Sequence, residues 1–387
     1  MKNFLLPLYL FIHLSILLII IIHEMGHAMF AVLFSNKEAT IYLGSHGNQK
    51  KSLNFKIGLF NFYIKKNIFK WSGGLCRNGG EMNFYQSAIY LLAGPLLPLL
   101  TGMLLLFISR KYNSEYFYGF SFVFTGMSFL SLVQNLYPKK NGISLKSGAI
   151  IPNDGYSLVR LFRYKKRYPE YVKAINLFNE KKYSEAVLIF KDLIDKGLND
   201  DNIIKVAIGS ALISKNYKIA EQIINEYGDS IEPDANHYIN MGYFYSIMEN
   251  HDKAMEYYSK SLKLNKSWHA YNNIGYHLNL SGNYTEALGY FDKAIAINPH
   301  AYPFNNRGLA KIKLGNIEEG LSDLEHGHTL DPANSYYYKN KGIYYYDLNE
   351  YSKALEHFKK AKEMDTDTYK IDFDIEQAEQ QLAKLNI

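Results

Sequence analysis

The chain has 387 residues, with 43 Lys/Arg against 37 Asp/Glu, 48% hydrophobic residues and a single cysteine. That length allows two or three domains, and the lone Cys76 excludes a disulfide framework or a cysteine-based zinc cluster and reads as an incidental thiol. The charge is unevenly spread: residues 1–155 hold 14 Lys/Arg against 5 Asp/Glu, and the remainder 29 against 32. This suits cation-flanked membrane spans, and with no clustered basic helix or stacking platform it excludes a nucleic-acid-binding stripe.

From Phe4 to Ile22 the chain is almost continuously apolar, and the helical pattern continues to Phe34. The run is long enough to span a bilayer, exceeds a usual signal-peptide core and is followed by no small-x-small cleavage site. Further spans are expected over about 85–108 and 116–135. The segment 36–84 between the first two holds eight Lys/Arg, and Lys139, Lys140 and Lys146 follow the third; the opposite side offers Lys2, Arg110 and Lys111. The positive-inside rule therefore expects the N-terminus outside and both the 36–84 loop and the C-terminal half in the cytoplasm. Within that loop "ATIYLGS" and "LNFKIGLFNFYI" alternate apolar and other residues, as at Leu53, Phe55, Ile57 and Leu59, and read as strands.

The first span contains "HEMGH" at 23–27. Ionisable groups inside a span are costly, so their default reading is a functional site. Residues four apart share a helical face, so His23 and His27 can turn two imidazoles to one ion with Glu24 beside them. A catalytic zinc takes three protein ligands and keeps a position open for water. Asp154 in "IPNDGYSL", at the start of a resumed helical pattern, is a candidate third ligand, while "NDG" equally reads as an ordinary turn. His46, in a glycine-flanked loop, is a weaker rival. His13 is expected to face the helix bundle.

Together "HEMGH", "AGPLLP" at 93–98, and "NLYP" followed by "NDG" resemble the site-2 protease family of intramembrane zinc metalloproteases, over about residues 1–165. The resemblance implies one Zn2+ per chain held by His23, His27 and Asp154, with Glu24 as general base, and Asn135 near the substrate. The strand-rich loop resembles the membrane-associated β-hairpin of such enzymes. Gly94 and Pro95 are read as a kink and close-packing site supporting the centre. Two departures stand out: "KKNGISLKSGAI" separates Pro138 from "PNDG", and no stretch between the second and third spans could hold a PDZ domain.

The C-terminal half repeats. Ala174, Ile208, Gly242, Gly275, Gly308 and Gly342 recur at steps of 33 or 34 residues. In parallel run Ala186, Ala220, Ala254, Ala287, Gly320 and Ala354, and four residues later Phe190, Ile224, Tyr258, Phe291, Leu324 and Phe358. This resembles the tetratricopeptide repeat (TPR), six units over about 168–369 with a capping helix over 370–387. Tyr243, Tyr276 or Asn272 could line its groove, while His251, His277, His326 and His328 are expected at the surface.

The expected fold is thus mainly α: a three-helix transmembrane metalloprotease core with a small β-rich loop (1–165), followed by a cytoplasmic TPR α-solenoid. The resemblance implies cleavage of a membrane-anchored protein substrate near the cytoplasmic face of a bacterial cell membrane. The partners are that substrate, the lipid bilayer and a protein or peptide in the TPR groove, with no nucleic acid. A catalytically silent membrane-anchored scaffold is the alternative; a transporter lacks enough spans.

Overall fold

Three uninterrupted apolar runs become the longest helices of the computed structural model, which describes residues 2–49, 52–112, 114–140, 142–144, 150–228 and 230–385. Lys146, counted above among the charges after the third span, lies outside the described residues. Helices α1 (Lys2–Ser35), α2 (Phe84–Ser109) and α3 (Glu115–Leu136) are each long and apolar enough to cross a membrane. Their outer faces show exposed Leu100, Leu104, Phe107, Phe122 and Leu130, a surface that requires lipid rather than water. This is a membrane protein.

The helix ends are capped by sequence. Asn83 and Gln86 form a reciprocal capping box at the start of α2, and Ser114 caps α3. Small residues then set how closely the spans pack. A Cβ on Gly26 of α1 would fall 2.6 Å from the Ala93 carbonyl of α2, and one on Gly102 would fall 2.9 Å from the Thr125 hydroxyl of α3. His13 departs from expectation: it is exposed and stacked on Tyr9, with ring centroids 4.3 Å apart, rather than facing the bundle. One turn apart near the start of α1, the two rings share an outward face, the arrangement favoured at a membrane–water interface.

The loop between α1 and α2 forms a four-stranded sheet of order β2-β3-β1-β4, from β1 (Ala39–Leu43), β2 (Ser52–Ile57), β3 (Phe60–Lys65) and β4 (Gly74–Asn78). β1 runs parallel to β3 and antiparallel to β4. "LNFKIGLFNFYI" is a hairpin, β2 turning into β3 through Gly58 at φ 57°. The buried side chains of Ala39, Ile41, Leu43 and Cys76 pack with Ala28 and Ala31 of α1, fixing the sheet beside the C-terminal half of that helix. Strand β4 has no counterpart in the sequence reading; it is short and opens on a glycine.

Past α3, the short strands β5 (Ile143–Ser144) and β6 (Ile150–Ile151) pair antiparallel and bring the ends of the inserted segment together. Helix α4 (Asp154–Tyr164) follows. Six helical hairpins come next: α5 (Tyr168–Asn179) with α6 (Tyr183–Asp195), α7 (Asp201–Ile213) with α8 (Tyr217–Tyr227), α9 (Ala235–Ile247) with α10 (His251–Leu264), α11 (Trp268–Leu280) with α12 (Tyr284–Ile297), α13 (Ala301–Lys313) with α14 (Ile317–Leu330), and α15 (Ser335–Asp347) with α16 (Tyr351–Met364). Helix α17 (Ile371–Leu385) closes the array.

The sequence period reappears in the backbone. Each hairpin turns through one left-handed residue at the same place: Lys181, Lys215, Glu249, Gly282, Gly315 and Asn349. The small residues serve as the period suggests, since a Cβ on Gly242, Gly275 or Gly342 would lie within 2.6 Å of the rings of Tyr258, Phe291 and Phe358 respectively.

The chain divides into two compact units, residues 1–232 and 233–387. The first comprises the spans, the sheet, α4 and the first two hairpins. The second comprises the other four hairpins and α17, whose Ile371 and Ala378 are buried with Ala354, Phe358 and Ala361. In this second unit His277 is buried, not at the surface, because the turn of α11 that carries it faces His251 and Tyr258. Asn272 is likewise buried, accepting a hydrogen bond from Asn306 at 3.0 Å, and Tyr276 packs against Tyr336 and Tyr369.

Candidate metal centre

His23 and His27 lie on one face of α1, roughly 18 and 12 Å before its C-terminal end at 1.5 Å per residue. Their Nε2 atoms are 3.2 Å apart. Asp154, the first residue of α4, reaches both: Oδ2 is 3.3 Å from Nε2 of His23 and Oδ1 is 3.4 Å from Nε2 of His27. Among the described residues these three form a group able to hold a metal ion.

The triangle fits zinc in size. Bonds of about 2.0–2.1 Å at tetrahedral angles separate neighbouring ligand atoms by about 3.3–3.4 Å. Donor chemistry agrees. Nδ1 of His27 lies 2.8 Å from the carbonyl of Tyr90, which can only accept, so Nδ1 carries the proton and the Nε2 lone pair faces His23 and Asp154. Side-chain exposures of 12% for His23, 6% for His27 and 19% for Asp154 put the open side of the triangle toward His23 and Asp154.

Three local devices build the centre, and the sequence reading singled out only the second of their residues. Gly26, inside "HEMGH", lets α1 approach the backbone of α2 at Ala93. Gly94 then gives the imidazole of His27 its place: a Cβ there would fall 2.1 Å from Nε2. Pro95, next in α2, is buried and carries no backbone N–H. Third, Asn153 clamps the start of α4 to the end of α3. Its amide donates to the Tyr137 carbonyl at 2.7 Å, while its oxygen accepts from the backbone N–H of Lys139 at 2.9 Å and of Tyr156 at 3.0 Å. Gly155 permits the approach, since a Cβ there would fall 2.2 Å from the Leu136 carbonyl. At the far end of α4 the Tyr164 hydroxyl donates to Asp200 of the second helical hairpin.

Glu24 is buried against β4. It accepts a hydrogen bond from the backbone of Cys76, and its side chain fills the space where Gly74 lacks a Cβ. Cys76 itself is buried beside it, and burial pushes its thiol up, so it stays protonated. Tyr90 joins the two sides of the site: its carbonyl receives His27 and its hydroxyl donates to the Cys76 carbonyl at 3.4 Å. Asn135 is turned back on α3, donating to the carbonyl and hydroxyl of Ser131 at 2.9 and 3.3 Å, and makes no hydrogen bond to His23, His27 or Asp154. His46 packs against Gly73 and lies outside the metal-competent group.

Residues 4–145 match the Peptidase M50B-like family, a stretch that holds the two histidines and Glu24 and ends before Asp154. Residues 235–267 and 269–298 each match tetratricopeptide repeat families. No curated protein matches the chain. Among solved structures, the C-terminal part of a TPR repeat-containing protein from Cytophaga hutchinsonii is 18% identical over 50% of this chain and 78% of its own, with a TM-score of 0.36. The APC/C hetero-tetramer Cut9-Hcn1 is 15% identical over 78% of this chain and 61% of its own, at a TM-score of 0.41. The Sgt2 TPR domain from Aspergillus fumigatus is 20% identical over 31% of this chain and 81% of its own, at 0.27. The chain therefore joins a segment similar to the Peptidase M50B-like family to segments similar to tetratricopeptide repeats.

Proposed function

We propose that residues 1–165 are a zinc-dependent endopeptidase that cuts a membrane-anchored protein near its cytoplasmic face, and that the repeats of 168–369 recruit its substrate or a regulator. The observation that carries the reading is the triangle of His23, His27 and Asp154, whose edges of 3.2–3.4 Å suit a single zinc ion. The ion, when bound, would acidify a water molecule and polarise the scissile carbonyl. Glu24 takes the proton from the attacking water and returns it to the leaving amine. The Tyr90 carbonyl holds His27 in the required tautomer, and Asn153 holds Asp154 in place against α3.

A helical substrate must unwind before its carbonyl can be attacked, because that carbonyl is hydrogen-bonded within the helix. Strand β4 lies at the edge of the sheet on the side of Glu24, so strand addition there would hold an extended substrate beside the site. Asn135 is assigned to substrate contact through the family resemblance. The charge asymmetry of the loops supports an external N-terminus and cytoplasmic repeats, and a bacterial cell membrane as location follows from the family resemblance and the composition.

The test is zinc content and cleavage of single-span substrates by detergent-purified protein. Wild type and Glu24→Gln should each hold about one zinc per chain, only wild type should cleave, and Asp154→Ala should lose metal. Zinc absent from well-folded wild type would refute the protease reading and leave a membrane-anchored scaffold.

A further inference from the structure

Within the first unit, a cleft of about 710 Å³ opens between the start of α2 and helix α5. Its floor is the first turn of a membrane span, Asn83 to Tyr85, so it lies at headgroup depth, where Phe84 and the exposed Tyr85 suit the interface. Its walls pair apolar Met82, Val172 and Leu177 with two cations, Lys165 and Lys173.

Charge identifies the occupant. The stretch from Arg163 to Lys173 adds Lys166 and Arg167 to those two lysines. Of these, Arg163, Lys165, Lys166 and Lys173 have no carboxylate within ion-pair distance among the described residues, and Lys165 rests over the ring of Phe84 at 5.4 Å. Two acids also line the cleft: Glu180 is offset by Lys182 at 2.8 Å, and Glu81 accepts from the Asn176 amide at 2.6 Å, so one carboxylate stands against Lys165 and Lys173 and the balance stays positive. An apolar slot at the membrane surface, edged by unpaired cations, matches a phospholipid with an anionic headgroup.

We propose that this cleft binds one anionic phospholipid, its phosphate between Lys165 and Lys173 and its glycerol and upper acyl chain against Met82, Val172 and Leu177. Lys165 directly follows the last residue of α4, the helix that begins at Asp154. The lipid therefore braces the far end of the element that carries Asp154. This goes beyond the protease reading and stands apart from it, since the test reads lipid and not cleavage.

The experiment is native mass spectrometry of the full chain in micelles doped with equal phosphatidylglycerol and phosphatidylcholine. Wild type should retain one phosphatidylglycerol in clear preference to phosphatidylcholine. Lys165→Gln with Lys173→Gln should weaken that preference about fivefold for each removed cation, and Lys165→Arg with Lys173→Arg should restore it. Millimolar glycerophosphoglycerol, which has the headgroup without the chains, should not displace the lipid. Equal retention of the two lipids by wild type would overturn the proposal. So would an unchanged preference in a glutamine pair with wild-type circular dichroism, no rescue by the arginine pair, or displacement by a short polyglutamate peptide, which would reassign the cleft to a protein partner.

Discussion

Gly94→Ala sets helix propensity against site geometry. In an exposed helix interior, alanine is favoured over glycine by about 1 kcal/mol, so propensity alone expects a slightly more stable α2. The structure expects the opposite for the metal. The new Cβ would lie 2.1 Å from Nε2 of His27 and 2.5 Å from two further ring carbons. Unstrained contacts begin near about 3.5 Å, so the ring must retreat by more than about 1 Å. That stretches a bond of about 2.0–2.1 Å beyond use as a ligand. The loss should exceed the 10–100-fold in metal affinity typical of removing a supporting group. Zinc titration against a chelator should show a collapse of affinity, while thermal unfolding of the zinc-free protein should show no gain in midpoint, because overlap in this buried contact costs about 1–3 kcal/mol and offsets the propensity term. Wild-type zinc affinity in Gly94→Ala would refute the argument that the absent side chain makes room for His27.

Gly74→Ala would place a Cβ 2.6 Å from Oε1 of Glu24, so cleavage should fall by about 10²-fold or more while zinc content holds; joint loss of both would show that β4 supports the ligands instead. Asn153→Ala removes the α4 cap and the clamp to Tyr137 and Lys139. It should cost about 1–2 kcal/mol of stability and 10–100-fold in zinc affinity, and unchanged zinc affinity by chelator competition would refute the clamp. In the repeats, burial and then the neighbouring His251 push His277 down to about 4 from an ordinary 6.5. Above pH 6.5 it is neutral folded or unfolded and contributes no pH dependence. Below that, the unfolded chain takes up a proton that the folded chain refuses until about pH 4, so stability falls through this window by up to about 3 kcal/mol. Urea unfolding at pH 7 and 4.5 should show the fall in wild type and a flatter response in His277→Leu; equal slopes would refute it.

The elements whose period is written along the chain were legible before any coordinates. Three apolar runs pointed to three long helices, α1, α2 and α3, because hydrocarbon depth fixes how long a span must be. The repeats were equally plain: a stacked unit reuses the same small-against-large contact, so Gly275 against Phe291 recurs one step on as Gly308 against Leu324. His23 and His27 share a face by helical geometry alone.

What sequence alone left open was everything carried by long-range contact. Whether "NDG" is a turn or the start of a ligand-bearing helix depends on Asn153 reaching back to Tyr137 and Lys139 across the inserted segment, and no local pattern encodes that return. His13 and His277 exchanged their expected environments, because facing a neighbour is decided by which helix packs there and not by a residue's own polarity. Strand β4 was invisible because five residues opening on glycine carry little alternation, and its pairing with β1 supplies the order. The sequence by itself determined the spans, the repeats and the two-histidine face, all properties of local period. Only the tertiary structure decided that Asp154, Tyr90, Gly94 and β4 converge there, because bringing residues 24, 74, 94 and 154 together depends on packing between elements distant in the chain.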